Sequence, residues 1–429
     1  MSTDYQQTYY ETTADITHYP AQSGRVDTKV CILGGGLAGL STALGLAERG
    51  INDVVVLESH RLGHGASGRN GGFVFGGYSL GNADLLATLG VEEAQRLYRL
   101  TLDAVELIRN RIKQYAIDCD LVDQGVILAN WFNDPSRLET PRKLMRDVYG
   151  VDWEYLPPGQ LKELLKTERY FGGLLERNAF HFHPLKYVYG IARTVAEFGV
   201  RIHEQSSALN IERRGKKYVV NTEGGEVHAE HVIFSCGGYA RGVYRPVERA
   251  VLPIATYVVA TEPLGARLKD VIDCESAVYD TRFAFDYYRP LRDSRLLWGG
   301  RISVLNRSPE AIASLLKTDL LTVYPQLEGV KIQYSWGGLM SYGRHQMAQI
   351  GQDEAGVWHA VGFGGHGMAP TTVAGEVLAD AIAKSIPIPE GFGKFGLTRT
   401  FGLAGLVAAQ MTYTACQARD AFDALRLNK

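Results

Sequence analysis

The stretch Val30-Cys31-Ile32-Leu33-Gly34-Gly35-Gly36-Leu37-Ala38-Gly39 constrains this chain more than any other. Four apolar strand formers run straight into three glycines, which a strand interior does not tolerate. Behind them Leu40, Ala43, Leu44 and Ala47 recur at helical spacing and Gly50 closes the helix. A second apolar strand, Val54–Leu57, then ends in Glu58. The result is a strand, turn, helix, strand unit with Gly34, Gly36 and Gly39 in the G-x-G-x-x-G register. Gly34 permits the tight turn, Gly36 lets backbone approach a pyrophosphate, and Gly39 lets helix and strand pack closely. The amides at the helix start, around Leu37 and Ala38, carry partial positive charge toward the anion. Glu58 stands about twenty residues past the last glycine, where a carboxylate accepts hydrogen bonds from an adenosine ribose. On these residues alone the dinucleotide is either a nicotinamide or a flavin.

The device returns once. Trp358–Ala383, WHAVGFGGHGMAPTTVAGEVLADAIA, reads as strand, glycine-rich turn and helix, with the helix placed over Thr371–Ala383. Between the two units Asn82–Tyr115 has helical spacing, and Leu121–Ala129 is strand-like. A helix over Leu185–Phe198 and strands at Val200–His203, Ala208–Arg213, Tyr218–Thr222 and His231–Ser235 restore the α/β pattern. The last of these runs into Cys236-Gly237-Gly238, a bend where backbone can lie against a ligand. From Val251 to Leu305 strands alternate instead. The middle run, RFAFDYYRP, places Phe283, Phe285 and Tyr287 on one face and Ala284, Asp286 and Tyr288 on the other, which fits an antiparallel sheet.

A chain of 429 residues is expected to form two joined domains. Its 45 Lys and Arg against 47 Asp and Glu give a formal net charge of -2, so bulk electrostatics make no case for nucleic acid. The 5 cysteines are scattered, without a C-x-x-C pair, as in a reducing interior. His181 and His183 share a strand face, but no nearby Asp, Glu or Cys completes a metal site. The first two dozen residues lack a signal-peptide core and are expected to pack on the surface or fray. Nothing is apolar for long enough to span a bilayer. Leu403–Tyr413, apolar and alanine-rich, leads into a charged helical segment, readable as a docked terminal helix or a monotopic surface helix.

Three signals, GGGLAGLSTALGLAERG with Glu58, the LGHGASGRNGG behind it, and GFGGHGMAPTTVAGEVLADAI near the end, carry a family likeness. Together they resemble the FAD-dependent oxidoreductases of the D-amino-acid-oxidase and sarcosine-oxidase type, in particular the γ-glutamylputrescine oxidase and L-pipecolate oxidase relatives. The resemblance implies an α/β fold in which a Rossmann-like FAD-binding domain of the glutathione-reductase type, with a parallel sheet, is interleaved with a substrate domain on a mixed, largely antiparallel sheet. The chain then divides into a tail (1–24), FAD-binding segments (25–84, 184–242 and 344–390), substrate segments (85–183 and 243–343) and an apolar, helical C-terminal extension (391–429). A resident FAD held at both ends explains the second glycine turn, which a nicotinamide would not need. Implied contacts are Gly34, Gly36, Leu37, Ala38, Gly39, Glu58, Ser59 and Arg61, then Gly65, Ala66, Ser67, Arg69, Asn70 and Gly71 around the pyrophosphate and ring edge, and Ala208 and Gly237. Gly365, His366, Gly367 and Met368 would face the flavin N1 and C2 carbonyl. Arg69 stands where some relatives carry a linking histidine, and no cysteine is near the late turn, so the FAD is expected to be non-covalent.

The implied reaction is oxidation of a C–N bond by hydride transfer to FAD, with placement and a dry pocket doing most of the work and no catalytic dyad. Tyr287 or Tyr288, Tyr257, Phe283, Trp336, Tyr342 and His366 are the candidate pocket walls. Amino-acid oxidases of this type carry a carboxylate-binding arginine just after a W-x-G-L pattern; here Trp336-Gly337-Gly338-Leu339 is followed by Met340. If Arg344 or Arg301 takes over, a cyclic secondary amino acid such as L-pipecolate is the expected substrate. If neither does, an amine such as γ-glutamylputrescine fits better. The expected partners are that small molecule and an acceptor, oxygen or a membrane quinone. The expected place is the cytoplasm, with contact at the inner membrane face left open by the C-terminal segment. The alternative is an FAD protein with another role, in tRNA modification or as a subunit of a larger dehydrogenase; a tRNA partner calls for a basic face that the balanced charge does not supply.

Overall fold

A computed structural model describes residues 7–239 and 242–428. Two eight-stranded sheets carry the chain. In the first, Gly24–Leu33 is flanked in parallel by Val54–Leu57 and Gly225–Phe234, and Arg201–His203 and Trp358–Val361 continue the parallel order outward. Gln349–Gln352 pairs antiparallel at one edge, and the hairpin of Ala208–Arg214 and Lys217–Thr222 pairs with Gly225–Phe234. Leu33 pairs with both Leu57 and Phe234, so three strands end level where the first glycine bend begins.

The second sheet runs in the order Ile332–Tyr342, Leu252–Thr261, Leu296–Ser303, Tyr287–Pro290, Ala277–Asp280, Val126–Ala129, Gly173–Glu176, Glu154–Leu156. Only the pairing of Ala277–Asp280 with Val126–Ala129 is parallel. One face packs on the helix Pro309–Val323 around Trp298, Tyr288, Leu316 and Leu320. The fold is thus mixed α/β, a Rossmann-like parallel sheet joined to a mixed, largely antiparallel one.

The early helix, Leu37–Glu48, is buried on every side up to Ala47, because the sheet covers one flank and the late helix, Met368–Lys384, the other. Glycines let the two helices touch. A Cβ on Gly375 would stand 2.6 Å from the Ser41 carbonyl carbon, and one on Gly45 3.0 Å from Ala379 Cβ. Contacts advance along both helices in the same direction, so they run parallel and their N-termini lie at one end. Arg49 fastens the far end, donating to Glu376 at 2.8 Å and Asp380 at 2.9 Å.

Several expectations change. The helix expected over Asn82–Tyr115 is two, Asn82–Leu89 and Val91–Gln114, broken at Gly90 with φ of +79°. Of RFAFDYYRP only Tyr287–Pro290 is strand: Arg282 donates to both Asp280 and Asp286, and this knot holds the segment before Tyr287 in a loop. The late helix begins at Met368 rather than Thr371, since Pro370 in the first turn has no helical N–H bond to lose. The tail is built in from Thr8 onward, with a Thr8–Glu11 capping box on Tyr9–Thr13 and a fully buried Tyr10 whose hydroxyl donates to Asn70 O at 2.8 Å. Residues 1–6 of that tail lie outside the described residues. His181 and His183 part company: the first pairs with Glu275 O at 2.8 Å, the second caps Pro184–Glu197 by accepting from Lys186 N at 3.1 Å. No helix among the described residues is long and apolar enough to cross a membrane.

Candidate active site

A cavity of about 1250 Å³ opens between the level strand ends of the first sheet and one face of the second. It exceeds the ~300–1,000 Å³ usual for one drug-sized ligand. Gly34, Gly36, Leu37 and Ala38 line it from the early bend, and Gly365, His366, Gly367 and Met368 from the late one. Parallel packing explains the convergence: two helices that start at the same end direct both sets of free N-terminal amides into one space.

On the early side Gly34 turns with φ of +109°. A Cβ on Gly39 would stand 2.1 Å from Gly34 O, so this glycine sits behind the wall and serves helix–strand packing. Glu58 accepts from Gly35 N at 2.8 Å and His60 N at 2.9 Å, and burial raises its carboxyl above the usual range. Ser59, Ala208 and Gly237 lie on the same stretch of wall. The loop Gly65–Gly71 closes the flank. Ser67 Oγ accepts from Leu37 N at 2.9 Å. Asn70 spends its amide inside the loop, on Ala66 O, Ser67 O and Gly72 N. Arg69 is no surface arginine: it donates to His64 O and Gly337 O, both at 3.0 Å, and stitches the loop to the second sheet.

On the late side His366 pairs through Nε2 with Phe75 O at 3.2 Å, its ring edge-on to Phe75 at 4.3 Å. Burial holds the imidazole down at about 4, so it is neutral and donates. Phe75 stacks in turn on Tyr279 at 5.5 Å, and Phe285, Tyr287 and Tyr342 extend the aromatic wall. Glu176, at the end of Gly173–Glu176, interrupts it. This carboxylate is buried, forms no ion pair among the described residues, and is pushed up to about 7 by desolvation against one hydrogen bond from the Gly76 amide.

Some expected residues are elsewhere. Strand alternation sends Tyr288 to the opposite face from Tyr287, where it stacks on Trp298 at 4.4 Å in the core. Tyr257 is buried in that core, its hydroxyl donating to Leu305 O at 2.6 Å. Trp336 is buried behind the loop and donates to Arg69 O at 3.0 Å. Arg61 is exposed and points outside the cavity. Arg301 does reach the cavity, but its guanidinium is taken bidentately by Asp319 at 2.7 and 2.5 Å. Arg344 is exposed at the cavity edge, 5.8 Å from the Phe401 ring centroid.

Residues 29–381 match the family model described as DAO, FAD dependent oxidoreductase. The chain belongs to this family. The DAO family member is 33% identical over 383 residues to the γ-glutamylputrescine oxidoreductase of Escherichia coli, covering 89% of each chain. It is 32% identical over 380 residues to the probable oxidoreductase OrdL of Haemophilus influenzae, covering 87% of each. Its fold is similar to that of glycine oxidase from Geobacillus kaustophilus, with a TM-score of 0.73 at 20% identity over 88% of this chain and 100% of the other. L-proline dehydrogenase from P. horikoshii follows at a TM-score of 0.72 and 18% identity, over 88% and 100%. The DAO chain is thus an FAD-dependent oxidoreductase acting on C–N bonds of amines or amino acids.

The cavity fits the group the family uses: two helix N-termini for negative charge at separate points, a carboxylate fixed at the end of the second strand, and a Gly36 backbone with only Ser67 Oγ in front of it, 2.8 Å from a would-be Cβ. Cys236 also faces the cavity, its thiol pushed up to about 12 by burial and so unreactive. Sequence reasoning missed Glu176, Phe75 and Tyr279. Glu176 had one signal, a lone acid closing the apolar strand GLLE; the aromatics had none, since only the sheet order brings them together.

Proposed function

We propose that this chain oxidises the C–N bond of a cationic alkylamine, of the kind γ-glutamylputrescine presents, rather than of a cyclic amino acid. The observation that carries this is the charge of the cavity wall. Among the described residues Glu58 and Glu176 are its only carboxylates, and Glu176 alone of the two lies among the aromatic side chains of the second sheet, without a cation there. Arg69, Arg282 and Arg301 are all engaged, and Arg344 is exposed at the edge. A carboxylate next to the reacting carbon, as in a cyclic amino acid, would find no free guanidinium inside among the described residues, whereas an ammonium would find a counter-ion.

When bound, FAD would supply the hydride acceptor for the amine carbon, once the ammonium has released one proton to solvent. The chain supplies the rest. Gly36 and Ala38 would offer amides to the pyrophosphate, Glu58 would take the ribose hydroxyls, and Gly65 to Asn70 would close over them, with Ser67 Oγ already holding the Leu37 amide. Gly365 to Met368 present a positive helix end where charge accumulates on reduction. Glu176 draws the ammonium inward and fixes the alkyl chain along Phe75, Tyr279 and Tyr287, which exclude water from the reacting carbon. The test is anaerobic mixing with γ-glutamylputrescine, free diamines, monoamines, L-pipecolate and L-proline. Loss of the flavin absorbance with the amines and not with the cyclic amino acids supports the reading; the reverse pattern overturns it and moves attention to Arg344.

A further inference from the structure

The C-terminal helix, Leu403–Leu427, is attached by its polar side chains. Gln410 Oε1 accepts from Val304 N at 3.1 Å, the Tyr413 hydroxyl from Ile302 N at 2.9 Å, and Asp420 from Phe283 N at 2.9 Å. Asp423 accepts from Arg137 at 2.8 Å, and Asn428 just beyond the helix holds Asn133 N at 2.8 Å. Its apolar side chains face the other way. Leu403, Val407, Met411, Phe422 and Leu425, with Phe401 just before them, are between 53% and 78% exposed. At 100° per residue these five helical positions fall in one sector, joined there by Ala404, Ala415, Ala418, Ala421 and a lone Thr414. A helix that turns hydrogen-bonding groups inward and leucines outward has reversed the usual amphipathic arrangement, and a contiguous apolar surface of this extent marks an interaction site.

Charge decides the occupant. Between Arg399 and Arg419 the sequence carries no charged residue. The two acids of the helix, Asp420 and Asp423, are turned into the body, while Arg399, Arg419 and Arg426 remain exposed at its two ends. A second copy of the same face would meet like charge with like in either orientation: antiparallel pairing brings Arg399 against the Arg419–Arg426 end, and parallel pairing stacks each arginine on its equivalent. An uncharged apolar stripe with arginines at both ends instead matches a lipid interface with anionic headgroups, on which an amphipathic helix lies flat. We propose that this helix docks the enzyme on the surface of an anionic lipid bilayer. Gly405, Ala409, Gln410 and Tyr413 of the same helix line the cavity, so the docked helix would lie between the cavity and the bilayer.

The test uses the FAD-loaded full chain and sucrose-loaded vesicles of phosphatidylcholine, with or without one third phosphatidylglycerol. The expected result is sedimentation with the anionic vesicles about tenfold above that with phosphatidylcholine alone, lost in molar salt. Val407→Glu with Met411→Glu should abolish it while leaving the flavin spectrum and melting temperature unchanged. Should that pair disturb folding, Arg399→Glu with Arg419→Glu leaves the apolar stripe in place and should still weaken binding several-fold. Equal sedimentation with both vesicle types, or none with either, overturns the proposal. So does a wild-type dimer on a sizing column that the Val407/Met411 pair converts to monomer without any vesicle binding, which would assign the face to a second copy.

Discussion

Gly375 of the late helix lies on Ser41 of the early one, with room for no side chain: a Cβ there would stand 2.6 Å from the Ser41 carbonyl carbon. This contact sets two helices side by side and in the same direction although more than three hundred residues separate them in sequence. Because they start together, the helix ends at Ala38 and at Met368 open on one cavity. A prediction follows at the contact itself. Gly375→Leu should push the helices apart, cost about 1–3 kcal/mol by overpacking, and lower FAD occupancy along with the melting temperature. The ratio of visible to ultraviolet absorbance and a thermal melt of the same sample check it.

Glu58 is held by the amides of Gly35 and His60, so its carboxylate is aimed before any ligand arrives. Glu58→Ala should weaken FAD binding by about 1.5–3 kcal/mol, roughly one to two decades in the dissociation constant, with little change in the reduction rate of the bound flavin. Reconstitution of stripped protein followed by fluorescence quenching measures the first, and rapid mixing the second.

The flavin should leave on acid precipitation, with a colourless pellet and a yellow supernatant. Arg69 is tied to His64 O and Gly337 O and offers no carbon–nitrogen linkage, and the Cys236 thiol is kept protonated by burial. A yellow pellet would show a covalent bond through His60 or His64, which also face the cavity.

Arg301 and Arg344 separate the two substrate classes. Arg301→Met leaves buried Asp319 without its partner and should destabilise the fold by about 1–3 kcal/mol while leaving the KM for an amine within about twofold. Arg344→Ala should alter neither. A rise in KM confined to amino-acid substrates in Arg344→Ala would support carboxylate recognition at the cavity edge.

Glu176 should also register in stability. Its carboxyl titrates near 7 in the folded chain against an ordinary value of 4.5, so the folded state holds the extra proton between those limits. Stability from this group is full below about 4.5 and falls as pH rises through about 7. Glu176→Gln, which stays neutral, should therefore melt close to the wild type at pH 5 and above it at pH 8. Parallel melting curves at both values would contradict the buried, unpaired carboxylate.

How much of this was legible in the sequence follows from how local each determinant is. The two glycine bends are fixed by neighbours within about twenty residues, so their strands, turns and helices read directly. Arg69 was legible as a polar residue of the loop, but its bond to Gly337 O belongs to a strand far along the chain. Tyr287 and Tyr288 differ only by one step of strand alternation, and choosing between them required knowing which face of the second sheet meets the first. Glu176 and Tyr279 approach the same space because Val126–Ala129 sits between their strands, an order no local pattern encodes. The outward leucines of Leu403–Leu427 were visible as an apolar run, while the inward hydrogen bonds of Gln410, Tyr413 and Asp420 were not.

The most direct test of the account is anaerobic rapid mixing of wild type and Glu176→Gln, both loaded with FAD, with a graded series of γ-glutamylputrescine concentrations. If Glu176 is the counter-ion for the amine, the concentration giving half-maximal flavin reduction rises at least tenfold in the variant while the limiting rate changes less than threefold. An unchanged half-saturation would remove Glu176 from substrate binding and contradict the amine assignment drawn from it.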